Sequence, residues 1–209
     1  TLTTYLSTFL FCVFTWAITL LIGVCGAYFL VFYINSIPLQ VTLFLICTIP
    51  FWTSNVIRMV AWIPLLGRNG LVNDLLISSG IIQEPVEWLL YSNFSVILAL
   101  VHLYTLFMIV PIFNSMLRID KEVIEAAYDA GASQIQVITS VIIPLCKPGI
   151  IIGSIFVITV VMGDFLTIGI MGGQQLASVG KIINTEMNYL QLPGAAANSV
   201  ILLVITILV

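Results

Sequence analysis

The chain has 209 residues, of which 61% are hydrophobic and 7% are charged, and its formal net charge is −3. Soluble domains carry charges on roughly a quarter of their residues, so a water-soluble fold is excluded. With a mean hydropathy of +1.20, most of the chain must be solvated by a lipid bilayer. The cations form no basic cluster that could neutralise a run of phosphates, which excludes nucleic acid as a partner.

The first two apolar stretches predict two membrane-spanning helices. Residues 5–34 carry no charged side chain and exceed the roughly 20 residues needed to cross a bilayer. Residues 38–57 form a second uncharged stretch that ends before Arg58, with Trp52 and Trp62 placed as interfacial aromatics. Arg58 is then an anchor at the membrane interface, or alternatively a side chain that binds an anion or holds a gate loop.

Residues 58–93 change character and predict a large extramembrane loop that contains short helices. A third span follows at 94–113 and is interrupted by His102. Because no second ligand lies four residues after His102, the sequence favours a hydrogen-bonded packing residue over a metal ligand. No metal site is predicted.

The next loop, residues 114–147, holds the densest charge in the sequence: Arg118, Asp120, Lys121, Glu122, Glu125, Asp129 and Lys147. Two pairs of opposite charge lie four residues apart, which is also typical of a solvated helix with self-paired charges. Glu125 and Asp129, however, are like charges at the same spacing and repel unless a cationic partner approaches. We therefore expect a partner to bind this loop.

Two short helices joined at a glycine are predicted within the 114–147 loop. Asp120 is placed to cap a first helix, and Gly131 is placed to end that helix in the left-handed conformation. Ser133 is placed to cap a second helix, which Pro144 should end.

The fourth predicted span, residues 148–171, contains Asp164, the one carboxylate inside an apolar span. A charge at the bilayer centre costs about 2.5–3.5 kcal/mol, so this carboxylate should face a pathway or a partner. The structural alternatives are a pair with a basic residue of a neighbouring helix, or a position near the membrane surface. A polar loop at 172–193 and a fifth span at 194–209 follow, so the predicted fold class is all-α, a polytopic transmembrane helical bundle.

One motif of the 114–147 loop is specific. Glu125-Ala126-Ala127, Gly131 and Val141-Ile142-Ile143-Pro144 resemble the E-A-A-x(3)-G-x(9)-I-x-L-P signature of bacterial ATP-binding-cassette importer permeases. Val141 stands in place of Ile and Ile143 in place of Leu. The resemblance implies the type I importer permease fold, in which the first helix of this loop docks on an ATP-binding subunit. The coupling residues that it implies are Glu125, Ala126, Ala127, Asp129, Gly131 and Pro144.

The family topology implied by this resemblance also orients the chain. Charge counting leaves the orientation open, because the six cations are split evenly between the two faces. In the family the 114–147 loop is cytoplasmic, so the loops at 58–93 and 172–193 would face the outside. We expect a multi-pass protein of the bacterial inner membrane, present here as a fragment with about five of six spans.

Further segments look like those of the spermidine/putrescine permease subgroup. They are Arg58 to Trp62, Gly70 to Leu76, Glu84 to Tyr91, Arg118 to Asp120, Gly163 to Phe165 with Gly172-Gly173 after it, and Pro193 to Ala196. Thr167-Ile168 departs from the usual Thr-Pro of that subgroup, and Leu192 departs from its frequent Trp. The resemblance implies ATP-driven import of a polyamine by alternating access, with ferric ion, phosphonate or an inorganic anion as the alternative solutes.

The resemblance also implies the partners. They are a dimer of ATP-binding subunits that holds ATP and Mg, a second permease subunit that is a different chain, and a periplasmic or surface-anchored substrate-binding protein. This chain has no phosphate-cradling loop, so no cofactor and no catalytic residue are predicted in it. A membrane enzyme or receptor would need His102, Asp164 and Glu186 to converge on one site, and no catalytic motif supports that.

A polyamine site requires spaced carboxylates and aromatic faces, because it must bind several ammonium groups separated by methylenes. Within the fourth span, Asp164 and Phe165 have the required chemistry. The further candidates for the substrate pathway, at its outer mouth, are Glu84, Glu87, Trp88 and Tyr91.

Overall fold

The computed structural model describes residues 2–34, 36–173 and 176–208, and all regular secondary structure in those ranges is helical. The predicted all-α fold is thereby confirmed. Residues 1, 35, 174, 175 and 209 lie outside the described part. The predicted end of the fifth span at residue 209 and two residues of the predicted 172–193 loop are therefore not covered.

Helices follow one another along the described chain with short connections. They are α1 (Leu2–Tyr28), α2 (Ile37–Thr48), α3 (Asn55–Leu66), α4 (Leu71–Ser78), α5 (Asn93–Met116), α6 (Lys121–Asp129), α7 (Gln134–Val137), α8 (Ile143–Leu145), α9 (Lys147–Gly163), α10 (Leu166–Met171), α11 (Val179–Asn188) and α12 (Leu192–Leu208). Two π-helical segments, Phe29–Tyr33 and Ile138–Ile142, and two 3-10 turns, Ile49–Trp52 and Glu87–Leu89, lie between them.

Two of the described helical segments, Thr3–Tyr33 and Glu87–Met116, are long and apolar enough to cross a bilayer. Further apolar segments consist of two helices separated by a short break, Ile37–Trp52 with Asn55–Ser78 and Gln134–Leu145 with Lys147–Gly163, and the second pair meets at an angle of 68°. Length and composition alone identify these segments. The predicted span boundaries, the 114–147 loop and the two outer loops therefore stay predictions.

The surface carries many large apolar side chains. Leu21, Trp52, Leu203 and Ile207 are among those that are exposed. Soluble monomers rarely expose apolar patches of more than a few hundred Å², whereas a bilayer solvates such a surface. The apolar exterior is therefore that of a membrane protein.

The chain between residues 38 and 57 differs from the uninterrupted helix that the sequence predicts. α2 ends at Thr48, a 3-10 turn follows, and α3 begins only at Asn55. Pro50 has no backbone N–H to continue the helical ladder, and Ser54 takes an extended conformation with ψ 133° before the new helix. These local features end α2 and separate it from α3.

The predicted fourth span, residues 148–171, also contains a break. α9 ends at Gly163 and α10 begins at Leu166, so Asp164 and Phe165 lie between two helices and not inside one. The span was predicted as continuous because its apolar residues run on through the break, and hydropathy does not detect a carboxylate that caps a new helix.

Residues 1–16, 51–103 and 158–209 form one compact unit, in which α10 packs on α3 and α11 packs on α12. Its interior also holds polar side chains that are satisfied locally. Asn73 is fully buried, donates to the carbonyl oxygens of Gly67 and Val86 over 3.0 and 3.2 Å, and accepts from the Val86 N–H over 2.9 Å. Asn73 therefore fastens α4 to the segment that precedes Glu87.

Residues 17–50 and 104–157 form the other compact unit. Here α9 approaches α5 closely at two glycines four residues apart. A Cβ atom at Gly149 would lie 2.5 Å from the carbonyl oxygen of Pro111, and one at Gly153 would lie 2.8 Å from Sδ of Met108. Small residues at this spacing are typical of tightly packed membrane helices, and these two positions require glycine.

Candidate functional site

The charged segment, residues 114–147, builds its first helix as the sequence predicts. Asp120 lies at the N-cap of α6 with an extended backbone, although its side chain makes no cap hydrogen bond. At the other end, Gly131 has φ +84°, and the N–H of Ala132 donates to the carbonyl oxygen of Ala127 over 3.1 Å. This is the Schellman arrangement, in which a left-handed glycine ends the helix at low cost.

Ser133 caps the second helix of the charged segment through a capping box. Its N–H donates to Oε1 of Gln136 over 2.8 Å, and its Oγ accepts from the N–H of Gln136 over 3.4 Å. Pro144 does not end this helix as expected, because it occupies the first turn of α8, where a missing N–H is tolerated. The turns between Val137 and Pro144 are π-helical, and the chain bends only after Leu145.

The exposure of α6 shows what this segment offers to a partner. No residue of α6 is buried: Glu125, Ala126 and Asp129 are exposed, and Ala127 is half-exposed. Within the described residues, no ion pair or hydrogen bond engages the carboxylate of Glu125 or Asp129. The helix therefore presents a small, negatively charged face, and α7 is among the elements that it packs against.

Asp164 lies in a second candidate site, the Asp164 segment, which comprises the described residues 164–173 and 176–181. Its side chain is 8% exposed. Oδ1 accepts from the N–H of Thr167 over 2.9 Å, and Oδ2 accepts from the hydroxyl of Thr167. Thr167 is fully buried, so the carboxylate satisfies a donor pair at the start of α10 that has no access to water.

The rest of the Asp164 segment is held by further local and long-range bonds. Oγ of Ser178 accepts from the N–H of Lys181 over 3.1 Å and caps α11. The hydroxyl of Thr8 accepts from the N–H of Val179 over 3.1 Å. Nζ of Lys181 donates to the carbonyl oxygens of Gly173 and Leu176 over 2.7 and 3.0 Å.

The four side chains predicted at the outer mouth have different neighbours. Glu87 forms an exposed ion pair with Arg68 over 3.2 Å. The ring of Trp88 meets the edge of Phe94 with centroids 5.4 Å apart. Glu84 is exposed.

Tyr91, the fourth of these side chains, joins the outer-mouth residues to the Asp164 segment. A Cβ atom on Gly173 would lie 3.0 Å from Cδ1 of Tyr91, so the ring lies directly against that glycine. Both residues have positive φ, 57° for Tyr91 and 58° for Gly173. Phe165, which follows Asp164, is 37% exposed. Whether these side chains contact a solute stays a prediction.

The sequence did not predict two hydrogen-bond partners, one in the Asp164 segment and one between α3 and α5. Thr167 was noted only as a departure from a family pattern, although the spacing Asp164-x-x-Thr167 is that of a helix N-cap and could have identified the bond. His102 accepts at Nδ1 from the indole N–H of Trp62 over 3.0 Å. Residues 40 positions apart give no local signal for such a pair.

Comparison with known proteins gives one family. Residues 5–209 match the family described as the inner membrane component of binding-protein-dependent transport systems.

Among curated relatives, the chain is 35% identical over 158 residues to the spermidine/putrescine transport system permease protein PotB of Escherichia coli. The aligned residues make up 75% of this chain and 57% of that protein. It is 38% identical over 144 residues to the protein of the same name from Haemophilus influenzae, covering 69% and 50%. It is 27% identical over 162 residues to the inner membrane ABC transporter permease protein YdcU of Escherichia coli, covering 71% and 51%. The chain spans about half the length of the curated relatives that it matches.

Proposed function

The chain belongs to the family of inner membrane components of binding-protein-dependent transport systems, and from this premise we propose that it is the permease subunit of an ATP-binding-cassette importer for a polyamine such as spermidine or putrescine. Membership of the family makes it a transport component and not an enzyme. The solute is proposed because relatives at 35% and 38% identity are named spermidine/putrescine permeases.

The observation that carries the proposal is the form of the charged segment. α6 is a nine-residue helix with no buried residue, ended by a left-handed glycine and followed by a capped second helix. Glu125, Ala126 and Ala127 are accessible on it. A short helix with small residues allows a close backbone approach by another protein, and its free carboxylates favour a partner that carries cations.

The partners follow from this assignment. A dimer of ATP-binding subunits, which hold ATP and Mg, would receive α6 on the cytoplasmic side. A second permease chain would complete the pathway, and a substrate-binding protein would deliver the solute at the outer loops. ATP binding closes the two ATP-binding subunits, α6 transmits that motion, and the spans rock between outward-open and inward-open states.

The experiment that tests the permease assignment measures ATP-dependent uptake by variants of the E-A-A motif. The complete transporter is reconstituted in proteoliposomes with Gly131→Val or Glu125→Gln in this chain. Both variants should insert normally, while ATP-dependent spermidine uptake falls about tenfold or more, because a β-branched residue is strained at φ +84° and the glutamine removes a coupling charge.

Glu122→Gln is the matched control, since Glu122 is exposed on the same helix but lies outside the E-A-A motif. It should leave uptake within about twofold of the wild-type rate. Unchanged uptake in both motif variants would refute the assignment.

The solute is tested separately with the wild-type transporter. Uptake of labelled spermidine and putrescine is compared with uptake of ferric ion, a phosphonate and thiosulfate. Saturable uptake of the polyamines alone supports the proposal, and uptake of any of the other three solutes in their place overturns the choice of solute but not the permease assignment.

A further inference from the structure

A cleft of about 320 Å³ lies between the end of α1 and the coupling helix α6. The side chains that matter for its chemistry are Tyr28, Phe32, Tyr33, Tyr128, Glu125 and Lys121. All belong to the same compact unit. The cleft is at the lower end of the range of small-molecule sites, about 300–1,000 Å³, and is too small to receive a folded partner.

One wall of the cleft is aromatic. The π-helical turn after Tyr28 places three rings together: the centroid of Tyr28 is 5.2 Å from that of Phe32 and 5.9 Å from that of Tyr33. Nε2 of Gln134 donates to the hydroxyl of Tyr33 over 3.4 Å, which fixes that ring to the start of α7. Tyr128 adds a fourth ring from α6.

The α6 side of the cleft also carries charge. Glu125 lines the cleft, and Asp129 lies one turn further along the same helix. Lys121 also lines the cleft, four residues before Glu125, yet no ion pair joins the two side chains in the described chain. A carboxylate that forms no ion pair, beside several aromatic faces, is the chemistry that binds ammonium groups, through cation–π and charge interactions together.

We propose that this cleft is a binding site for an alkylammonium group of a polyamine on the cytoplasmic side of the membrane, separate from the transport pathway. The choice of ligand and of membrane side rests on the proposed function. An ammonium bound here would neutralise Glu125, relieve its repulsion with Asp129 and link α6 to the end of α1. Because the same Glu125 is proposed to contact the ATP-binding subunit, accumulated polyamine would compete with that contact and slow further uptake.

The Lys121 ammonium competes with a bound polyamine for the carboxylate of Glu125. Its ammonium is a tethered monovalent cation within reach of the same carboxylate, whereas a polyamine brings at least two ammonium groups. Removing Lys121 should therefore strengthen polyamine binding, which is the opposite of what is expected for a lysine that only stabilises the helix.

The test measures binding of labelled spermidine to the whole transporter in lipid nanodiscs, without nucleotide or binding protein. Tyr33→Leu and Tyr128→Leu should each weaken binding about tenfold, and Lys121→Met should strengthen it severalfold. Phe14→Leu, at an exposed ring of α1 outside the cleft, is the matched control and should bind as the wild type does. The neutral analogue 1,4-butanediol should not compete.

A second arm measures uptake into proteoliposomes loaded with spermidine or with buffer. Internal spermidine should slow wild-type uptake, and the ratio of the two rates should return to about one in Tyr33→Leu. Spermidine binding that is unchanged in both tyrosine variants overturns the cleft proposal even if spermidine is transported. Tyrosine-dependent binding without spermidine transport upholds the cleft and refutes the proposed solute instead.

Discussion

The charged segment and the Asp164 segment both place carboxylates in an apolar protein, but they treat those carboxylates in opposite ways. Glu125 and Asp129 are exposed on a helix that buries none of its residues. Asp164 is 8% exposed, and both of its oxygens accept hydrogen bonds from Thr167. The first pair is available to another molecule, and the second carboxylate is committed to its own chain.

Because of this difference, mutations at the two sites should affect different properties, transport at one and folding stability at the other. An exposed carboxylate contributes little to folding, because water solvates it in the free protein and surface charges are worth about 0–1 kcal/mol. A buried carboxylate that satisfies two buried donors costs much more to remove, because the donors lose every partner. Removal of an exposed carboxylate in the charged segment should therefore change transport at constant stability, and removal of the Asp164 carboxylate should change stability first.

The largest stability effect is expected from Asp164→Ala. The alanine leaves the N–H and hydroxyl of the fully buried Thr167 without their acceptor, which should lower the free energy of unfolding by about 2–3 kcal/mol. Thermal unfolding of the purified protein in detergent measures the loss. A melting temperature equal to that of the wild type would show that the cap is dispensable.

Asp164→Asn then separates capping from charge. Asparagine keeps an oxygen for the Thr167 N–H, and its amide can donate to the Thr167 hydroxyl, so most of the stability should be retained. If Asp164 also faces a polyamine, this variant should lose spermidine uptake while still assembling with the ATP-binding subunits. Normal uptake by a stable Asn variant would make Asp164 a structural residue only.

An intermediate effect is expected from Lys181→Met. Nζ of Lys181 donates to two backbone carbonyls, Gly173 and Leu176, and such charge-assisted bonds contribute about 1–2 kcal/mol when they are partly shielded from water. Methionine keeps most of the apolar stem and removes the donors. We expect a lower melting temperature and faster proteolysis between α10 and α11. Lys147→Met, an exposed lysine at the start of α9, is the control and should leave both measurements unchanged.

Helix-capping rules applied to the sequence predicted the turn and the second cap of the charged segment. Gly131 and Ser133 act through residues at most five positions away, so spacing alone placed the left-handed turn and the cap. The six coupling residues came from the resemblance, and their function is tested only by experiment. The interpretation of Pro144 was wrong because proline is tolerated in a first helical turn, and the sequence did not reveal that the helix restarts there.

The Asp164 segment was predicted less well, for a physical reason. One of its bonds joins distant residues, Thr8 with Val179, 171 positions apart, and the ammonium of Lys181 bonds to the carbonyls of Gly173 and Leu176, which no capping or turn rule specifies. Such pairs depend on how helices pack, which hydropathy does not encode. Hydropathy correctly predicts the apolar stretches of the all-α fold. It does not predict the helix breaks at Ser54 and Asp164, because each of these polar residues interrupts an apolar run only briefly.

The smallest stability effect, and the sharpest test of the comparison, is expected from Ser133→Ala. Loss of the capping box should weaken the start of α7 by about 1 kcal/mol, but α7 has four residues and its N-terminus is exposed, so global unfolding should hardly change. Because α6 packs against α7, the loss should still loosen the coupling helix and lower spermidine uptake severalfold at a normal melting temperature. Thr139→Ala removes an exposed hydroxyl of the same segment, whose one bond in the described part of the chain is to the carbonyl oxygen of Ile135, and it should leave uptake unchanged. A Ser133 variant that loses stability and uptake in parallel would mean that the charged segment is tied into the fold as firmly as the Asp164 segment, and the distinction between available and committed carboxylates would fail.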